Sequence, residues 1–261
     1  MGSSTLTTVY YIFSFLFGAA IGSFLNVLIY RLPENFSIIK PGSFCPHCKK
    51  HIKWYENIPI ISFIMLKGKC SQCTQPISIH YPVVEALTGF LFFYLFMTFG
   101  LNLNFFFYIF FFCALIVISG VDFSDQTIPD IISMPGIVIG LIFQIINGNF
   151  LIGLIGMIFG GGLILLIRVV GGWAYRKEVM GLGDVYLTAM IGAFVGFPLI
   201  IPAIFIAALI GAIFGIIYIA YTQQNRESPI PFGPFLSIGG ILSIIFRTQV
   251  IELFAILGIY L

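Results

Sequence analysis

Eight apolar stretches run through this chain, each near the roughly 20 residues that cross the hydrocarbon core of a bilayer. They cover about 6–30, 82–100, 103–121, 131–147, 151–170, 184–199, 200–221 and 232–260. The run from 185 to 221 is too long for one span, and Pro198 and Pro202 divide it. Inside hydrocarbon every backbone N–H and C=O must be satisfied within the chain, so such stretches fold as helices. Only 8% of the 261 residues are charged, against about a quarter in a soluble domain. The expected fold is therefore an all-α polytopic membrane protein with about eight transmembrane helices. The opening "MGSSTLTTVYYIF" has no basic stretch and no small-residue cleavage site. Its apolar run reads as a retained span rather than a removed signal.

The few charges are unevenly placed. The one long hydrophilic segment, 31–81, holds Arg31, Lys40, Lys49, Lys50, Lys53, Lys67 and Lys69. Arg168, Arg176 and Lys177 precede the sixth span, Arg226 follows the seventh, and Arg247 lies in the last segment. With eight spans, the loops after spans one, three, five and seven share a side. Those loops and their flanks carry every basic residue except Arg247, and the connections near 101–103, 148–150 and 197–202 carry none. The positive-inside rule then puts the long loop in the cytoplasm and the N-terminus outside. The chain divides into a first span (1–30), a cytoplasmic loop (31–81) and a transmembrane core (82–261). A lipid bilayer is the expected environment, and no nucleic-acid partner is expected.

The loop contains "CPHC" and "CSQC": Cys45, Cys48, Cys70 and Cys73, two CxxC pairs separated by 21 residues. Two thiolates on a tight turn reach one ion, and two such turns complete a tetrahedral Zn²⁺ site. Four thiolates leave no open position, so the expected zinc is structural rather than catalytic. A disulfide relay would need the oxidising side of the membrane. His47, His51 and the more distant His80 read as solvated loop histidines, and Cys113 as packing within a span.

The acidic residues gather on the same predicted side. Asp122, Asp125 and Asp130 lie in "VDFSDQTIPD", and Asp184 ends "GLGD" at the start of span six. Ionisable groups at membrane depth are costly and mark function by default. Two adjacent carboxylates resist joint ionisation; one serves as base toward water and the other as acid toward a carbonyl. The competing reading is a helix cap before an apolar run. It is preferred for Asp130 and stays open for Asp125. For Asp122 and Asp184, their joint presence on one face favours chemistry. Gly181 and Gly183, lacking Cβ, are expected to adopt unusual dihedrals and let a substrate backbone pass close. Glu85 is either an interfacial residue or a polar partner of the acids. "GMIFGGG" reads as small-residue helix packing, and the phenylalanine-rich 105–112 as a lipid-facing or bundle-facing span.

In order along the chain, "GSFLNVLIYRLP" (22–33), "CPHC", "WYENIPIISF" (54–63), "GKCSQC" (68–73), "YPVVEALTG" (81–89), "VDFSDQTIPD", "GLGD" and "IPFGPFLSIGG" (230–240) resemble the bacterial prepilin leader peptidases. These are bifunctional enzymes that also N-methylate pilins. The resemblance implies an intramembrane aspartic peptidase of the GxGD type, cutting the leader from prepilin or pseudopilin precursors at the cytoplasmic membrane. It implies methyl transfer from S-adenosylmethionine to the new N-terminus, with the zinc-binding loop 31–81 as the methyltransferase part and 82–261 as the aspartic peptidase core. It maps the catalytic aspartates onto Asp122 and Asp184 and the zinc ligands onto Cys45, Cys48, Cys70 and Cys73. The family often has D-x-D at the first site, where this chain has Asp122, Ser124 and then Asp125. Trp54, Glu56, Asn57 and Pro59 accompany the complete cysteine loop and favour the bifunctional form. No glycine-rich nucleotide fingerprint is present, and the sequence names no donor-binding residues. The alternatives are a cation-coupled transporter with a zinc-ribbon regulatory loop, which predicts acids at mid-membrane depth, and a membrane-anchored zinc module that only recruits partners.

Overall fold

The computed structural model describes residues 2–222 and 230–256, and among them every regular element is helical. The helices are α1 (Gly2–Arg31), α2 (Ile61–Met65), α3 (His80–Phe99), α4 (Leu103–Asp125), α5 (Asp130–Ile146), α6 (Phe150–Tyr175), α7 (Leu182–Val195), α8 (Ile200–Thr222), α9 (Gly233–Ile245) and α10 (Arg247–Ile256). A short 3₁₀ turn spans Trp54–Asn57. The chain forms two compact units, Met1–Val117 and Ile118–Leu261. Arg226 and the tail of the expected last span, 257–260, lie outside the described residues.

In the first unit, α1 and α3 run antiparallel with almost nothing between their backbones. Gly18 faces Phe92, Gly22 faces the Cα of Glu85, and Gly89 faces Phe15. A Cβ on Gly22 would lie 2.7 Å from the Glu85 Cα. Gly18 and Gly22 are one helical turn apart, the spacing by which small residues let membrane helices approach. The Ser14 hydroxyl adds a bond to the Phe92 carbonyl at 3.0 Å. Of the aromatic run on α4, Phe105, Tyr108, Phe111 and Phe112 are buried while Phe106 is exposed. That run is mainly bundle-facing.

The second unit is built around α7, which is buried without interruption from Leu187 to Val195. Gly136 and Gly140 of α5 meet Met190 and Phe194, so α5 runs parallel to α7. Gly156, Gly160 and Gly161 of α6 meet Gly192, Thr188 and Ala189 in antiparallel order, as expected for "GMIFGGG". Gly211 and Gly239 set α8 and α9 antiparallel against Phe235 and Ala203.

A helix stands at every expected span, and the helices differ in length. Among the described residues, α1 from Thr7, α3, α4, α6 and α8 are long and apolar enough to cross a membrane. The last expected span is α9 and α10, bent by 78° between them, which would make a sixth. Helices α5, at 17 residues, and α7, at 14, fall short. Apolarity in α7 reflects burial in protein, and a helix jacketed by other helices need not match the bilayer thickness. Its end comes at Gly196, at φ +76°. Pro198 lies in the break before α8, while Pro202 sits in the first turn of α8, where a missing N–H costs nothing.

Candidate functional site

Asp122 lies on the last turns of α4 and is only 5% exposed. Its Oδ2 accepts a 2.8 Å hydrogen bond from the backbone N–H of Gly233, the first residue of α9. The first N–H groups of a helix have no partner within it and carry partial positive charge. The carboxylate thus occupies the anion position of a helix start. The fit is tight. A Cβ on Gly233 would lie 2.7 Å from that same oxygen. Only glycine lets Asp122 and this amide meet.

Asp184 lies in the first turn of α7 and is half-buried. Its Oδ2 accepts the Gly181 N–H at 3.2 Å. Asp184 is therefore not the capping residue itself; Gly181 is, and Asp184 reaches back to it from inside the helix. Its carboxylate also satisfies a helix start, and it is near enough to feel the charge of Asp122. Each acid holds one helix-start amide on one oxygen. A pair of this kind can divide the labour of proton transfer, and its titration belongs to both residues.

The segments that carry the acids are braced. Arg168 on α6 pairs with Glu178 at 2.9 Å and donates to the Met180 carbonyl, which fixes the approach to Gly181. Sequence reasoning used Arg168 only as a topology charge. Gly181 has an ordinary φ of −70°, and Gly183 is packed rather than open. A Cβ on Gly183 would lie 2.6 Å from the Cβ of Ile128 in "TIPD". The expectation of unusual dihedrals at these glycines is not met; what Gly183 provides is contact between the two acidic motifs. Gly183→Ala should cost about 1–3 kcal/mol, as overpacking does, read as a lowered melting temperature of the purified protein. An unchanged melting temperature would contradict the contact.

The other acids sit differently. Asp125 is exposed and takes a hydrogen bond from the Ser124 hydroxyl. Asp130 is exposed and opens α5, but the cap is Pro129 and Asp130 follows it in the first turn, where its charge complements the helix dipole. Glu85 belongs to the first unit: it is buried and its Oε2 accepts the Ile60 N–H at 2.7 Å.

The four loop cysteines converge. The Sγ atoms of Cys45, Cys48, Cys70 and Cys73 all lie within 4.8 Å of one another. The two arms repeat one geometry. Cys45 N–H donates to Lys50 and Cys70 N–H to Gln75, both at 2.9 Å, and Lys49 and Thr74 bond back to the cysteine carbonyls. Lys49 and Thr74 adopt φ of 59° and 57° to close these turns. Backbone N–H groups of Cys73 and Gln72 hold the Cys70 thiol down at about 7, while Cys73, despite the Gln75 N–H, is pushed up to about 11 by burial and the neighbouring thiols, so the four share their protons as one cluster. Tetrahedral zinc with Zn–S of about 2.3 Å separates its sulfurs by about 3.8 Å, and Cys45 and Cys73 are 3.9 Å apart. The cluster fits zinc. His47, His51 and His80 are not part of it among the described residues.

The residue that sequence reasoning missed outright is Gly233. "IPFGPFL" was visible as a motif, but a glycine before a proline announces no chemistry, and its partner lies 111 positions away.

Comparison with known proteins agrees with this geometry. Residues 16–99 match a family model described as the bacterial Peptidase A24 N-terminal domain. Residues 109–216 match the type IV leader peptidase family. The chain is 33% identical to a prepilin leader peptidase/N-methyltransferase of Legionella pneumophila, over 91% of each chain. It is 35% identical to one of Myxococcus xanthus, over 87% of this chain and 70% of that one. It is 31% identical to one of Pseudomonas aeruginosa, over 90% of each. No solved structure matches. With both family models met in order, and about a third of its residues shared with these relatives over most of their length, this chain belongs to the type IV leader peptidase family.

Proposed function

We propose that the protein is a bifunctional membrane enzyme. It removes the leader of type IV prepilin-like precursors with Asp122 and Asp184, then transfers a methyl group from S-adenosylmethionine to the new N-terminal amine. The observation that carries the reading is the carboxylate pair, each member seated on a helix start in one unit, in a chain whose relatives are named for both activities.

In the peptidase step, one aspartate is ionised and the other holds the shared proton. The ionised carboxylate takes a proton from water as that water attacks the scissile carbonyl. The protonated one donates to the carbonyl oxygen. Collapse of the tetrahedral species sends a proton to the leaving nitrogen, and the carboxylates return to their starting state. The Gly233 and Gly181 amides engage Oδ2 of each acid, so proton traffic falls to Oδ1. In the transfer step, the freed amine nitrogen attacks the methyl carbon. S-adenosylmethionine, when bound, would supply that carbon and leave as a neutral thioether keeping the C–S bonding pair, and the amine would give its proton to water. The charge asymmetry supports a cytoplasmic active site and an external N-terminus in a bacterial cytoplasmic membrane. The transporter reading receives no support.

Zinc held by the four thiolates would fold the loop and supply no open coordination position. Cys45→Ser should release the metal and lower methylation at least tenfold while cleavage falls far less. Zinc content, leader release and methyl incorporation scored on one preparation check this. Equal loss of both activities would count against a separable role for the loop. The reading as a whole is tested by reconstituting the purified chain with a prepilin and S-adenosylmethionine; an intact precursor after prolonged incubation would sink it.

A further inference from the structure

Several motifs that the acid pair leaves unused meet in the first unit. They bound a cavity of about 320 Å³ between α1, the cysteine loop and α3. Asn26 comes from "GSFLNVLIYR", Glu56 from "WYENIPIISF", and Tyr81 and Glu85 from "YPVVEALTG". Its walls are held with some strictness. The Asn26 Nδ2 donates to the Tyr81 carbonyl at 3.1 Å. The buried Arg31 donates to the carbonyls of Ser37, Pro41 and Gly42, pinning the start of the loop. Glu85 grips the Ile60 N–H. Ile60 has φ 63° and ψ −49°, a conformation that a β-branched residue keeps only where its surroundings impose it.

One polar atom in this wall is unmatched. Asn26 is 5% exposed, and its Oδ1 is buried with no partner among the described residues. A buried acceptor without a donor is costly, and a ligand bearing N–H groups would meet the demand. The cavity is also lined by two carboxylates, Glu56 and Glu85, and by the rings of Tyr30 and Tyr81, while the Phe44 ring is already covered by Arg31 and Lys49. Carboxylates and ring faces together receive cations, and ring faces also stack on flat heterocycles. The size is that of a cofactor-sized pocket.

We propose that this cavity is the methyl-donor site. Asn26 Oδ1 accepts from the donor's ammonium group, the carboxylates of Glu56 and Glu85 face its two positive centres, and the aromatic wall holds its adenine. The assignment rests on the methyltransferase reading above and gives it a location.

Two measurements on the full, zinc-loaded chain test it. Ultraviolet cross-linking of tritiated S-adenosylmethionine to the wild-type protein should label peptides containing residues 23–31, 52–63 or 77–85. Calorimetric titration with S-adenosylmethionine, in the absence of prepilin, should find binding weakened about tenfold or more by Asn26→Leu and by Glu56→Gln, as when a bond to a charged group is lost. The cross-link map needs no variant, so it decides even if a substitution prevents folding. Label confined to other segments, or both variants binding as tightly as wild type, would overturn the cavity assignment while leaving methyl transfer intact. A wild-type protein that neither binds S-adenosylmethionine nor methylates would overturn the methyltransferase reading itself, and the cavity assignment with it.

Discussion

Asp122→Asn and Asp184→Asn should each slow leader cleavage by about a thousandfold or more, within the range that positioned acid–base groups contribute. The amide keeps the shape of the carboxylate but cannot exchange a proton. In Asp122→Asn, Asp184 loses the partner whose charge it feels, and a reaction that needs both a base and an acid stops when either is lost, so the double variant should be little worse than the single ones. Groups that act as a unit behave in this non-additive way. Both variants should keep the melting temperature and zinc content of the wild type, because an asparagine carbonyl can still accept the amide of Gly233 or Gly181. A rate assay with a prepilin, paired with thermal unfolding, checks both halves. Near-normal cleavage by either variant would remove that aspartate from the mechanism.

Gly233→Ala should have nearly as large an effect from a residue that carries no chemistry of its own. The added Cβ would lie 2.7 Å from Asp122 Oδ2, so one of the two must move. The movable atom is the end of a side chain, and alanine suits a helix better than glycine, so stability should change by no more than about 1 kcal/mol. Catalysis is less forgiving, since a misplacement near 1 Å can cost about a hundredfold. The expected result is therefore a folded protein with leader cleavage down about a hundredfold. Full activity in Gly233→Ala would mean that the amide-held position of Asp122 does not matter to the reaction.

Much of the helical framework was legible because apolar run length reports burial directly. What hydropathy cannot report is whether lipid or protein does the burying. That is why α7 reads as a span although only 14 residues form it. The four cysteines were readable from spacing alone, since two CxxC turns have few other uses. The aspartates were readable as candidates through the charge map and the resemblance, but their seating on helix starts was not. The partner of Asp122 is a backbone N–H, which leaves no trace in residue identity. Gly183 misled for a related reason: its missing Cβ was visible, but what fills the space, Ile128, comes from a distant loop. Glu85 could not be placed either, because its partner Ile60 lies in the loop 25 positions earlier.

The central claim is that the second unit cleaves the leader with this aspartate pair. Its most direct test is the intact mass of a prepilin after incubation with purified wild-type protein, or with the Asp122→Asn, Asp184→Asn double variant, and S-adenosylmethionine. Wild type should convert the precursor to the leaderless, methylated form, and the double variant should leave it at full length. A leaderless product formed by the double variant would contradict the account.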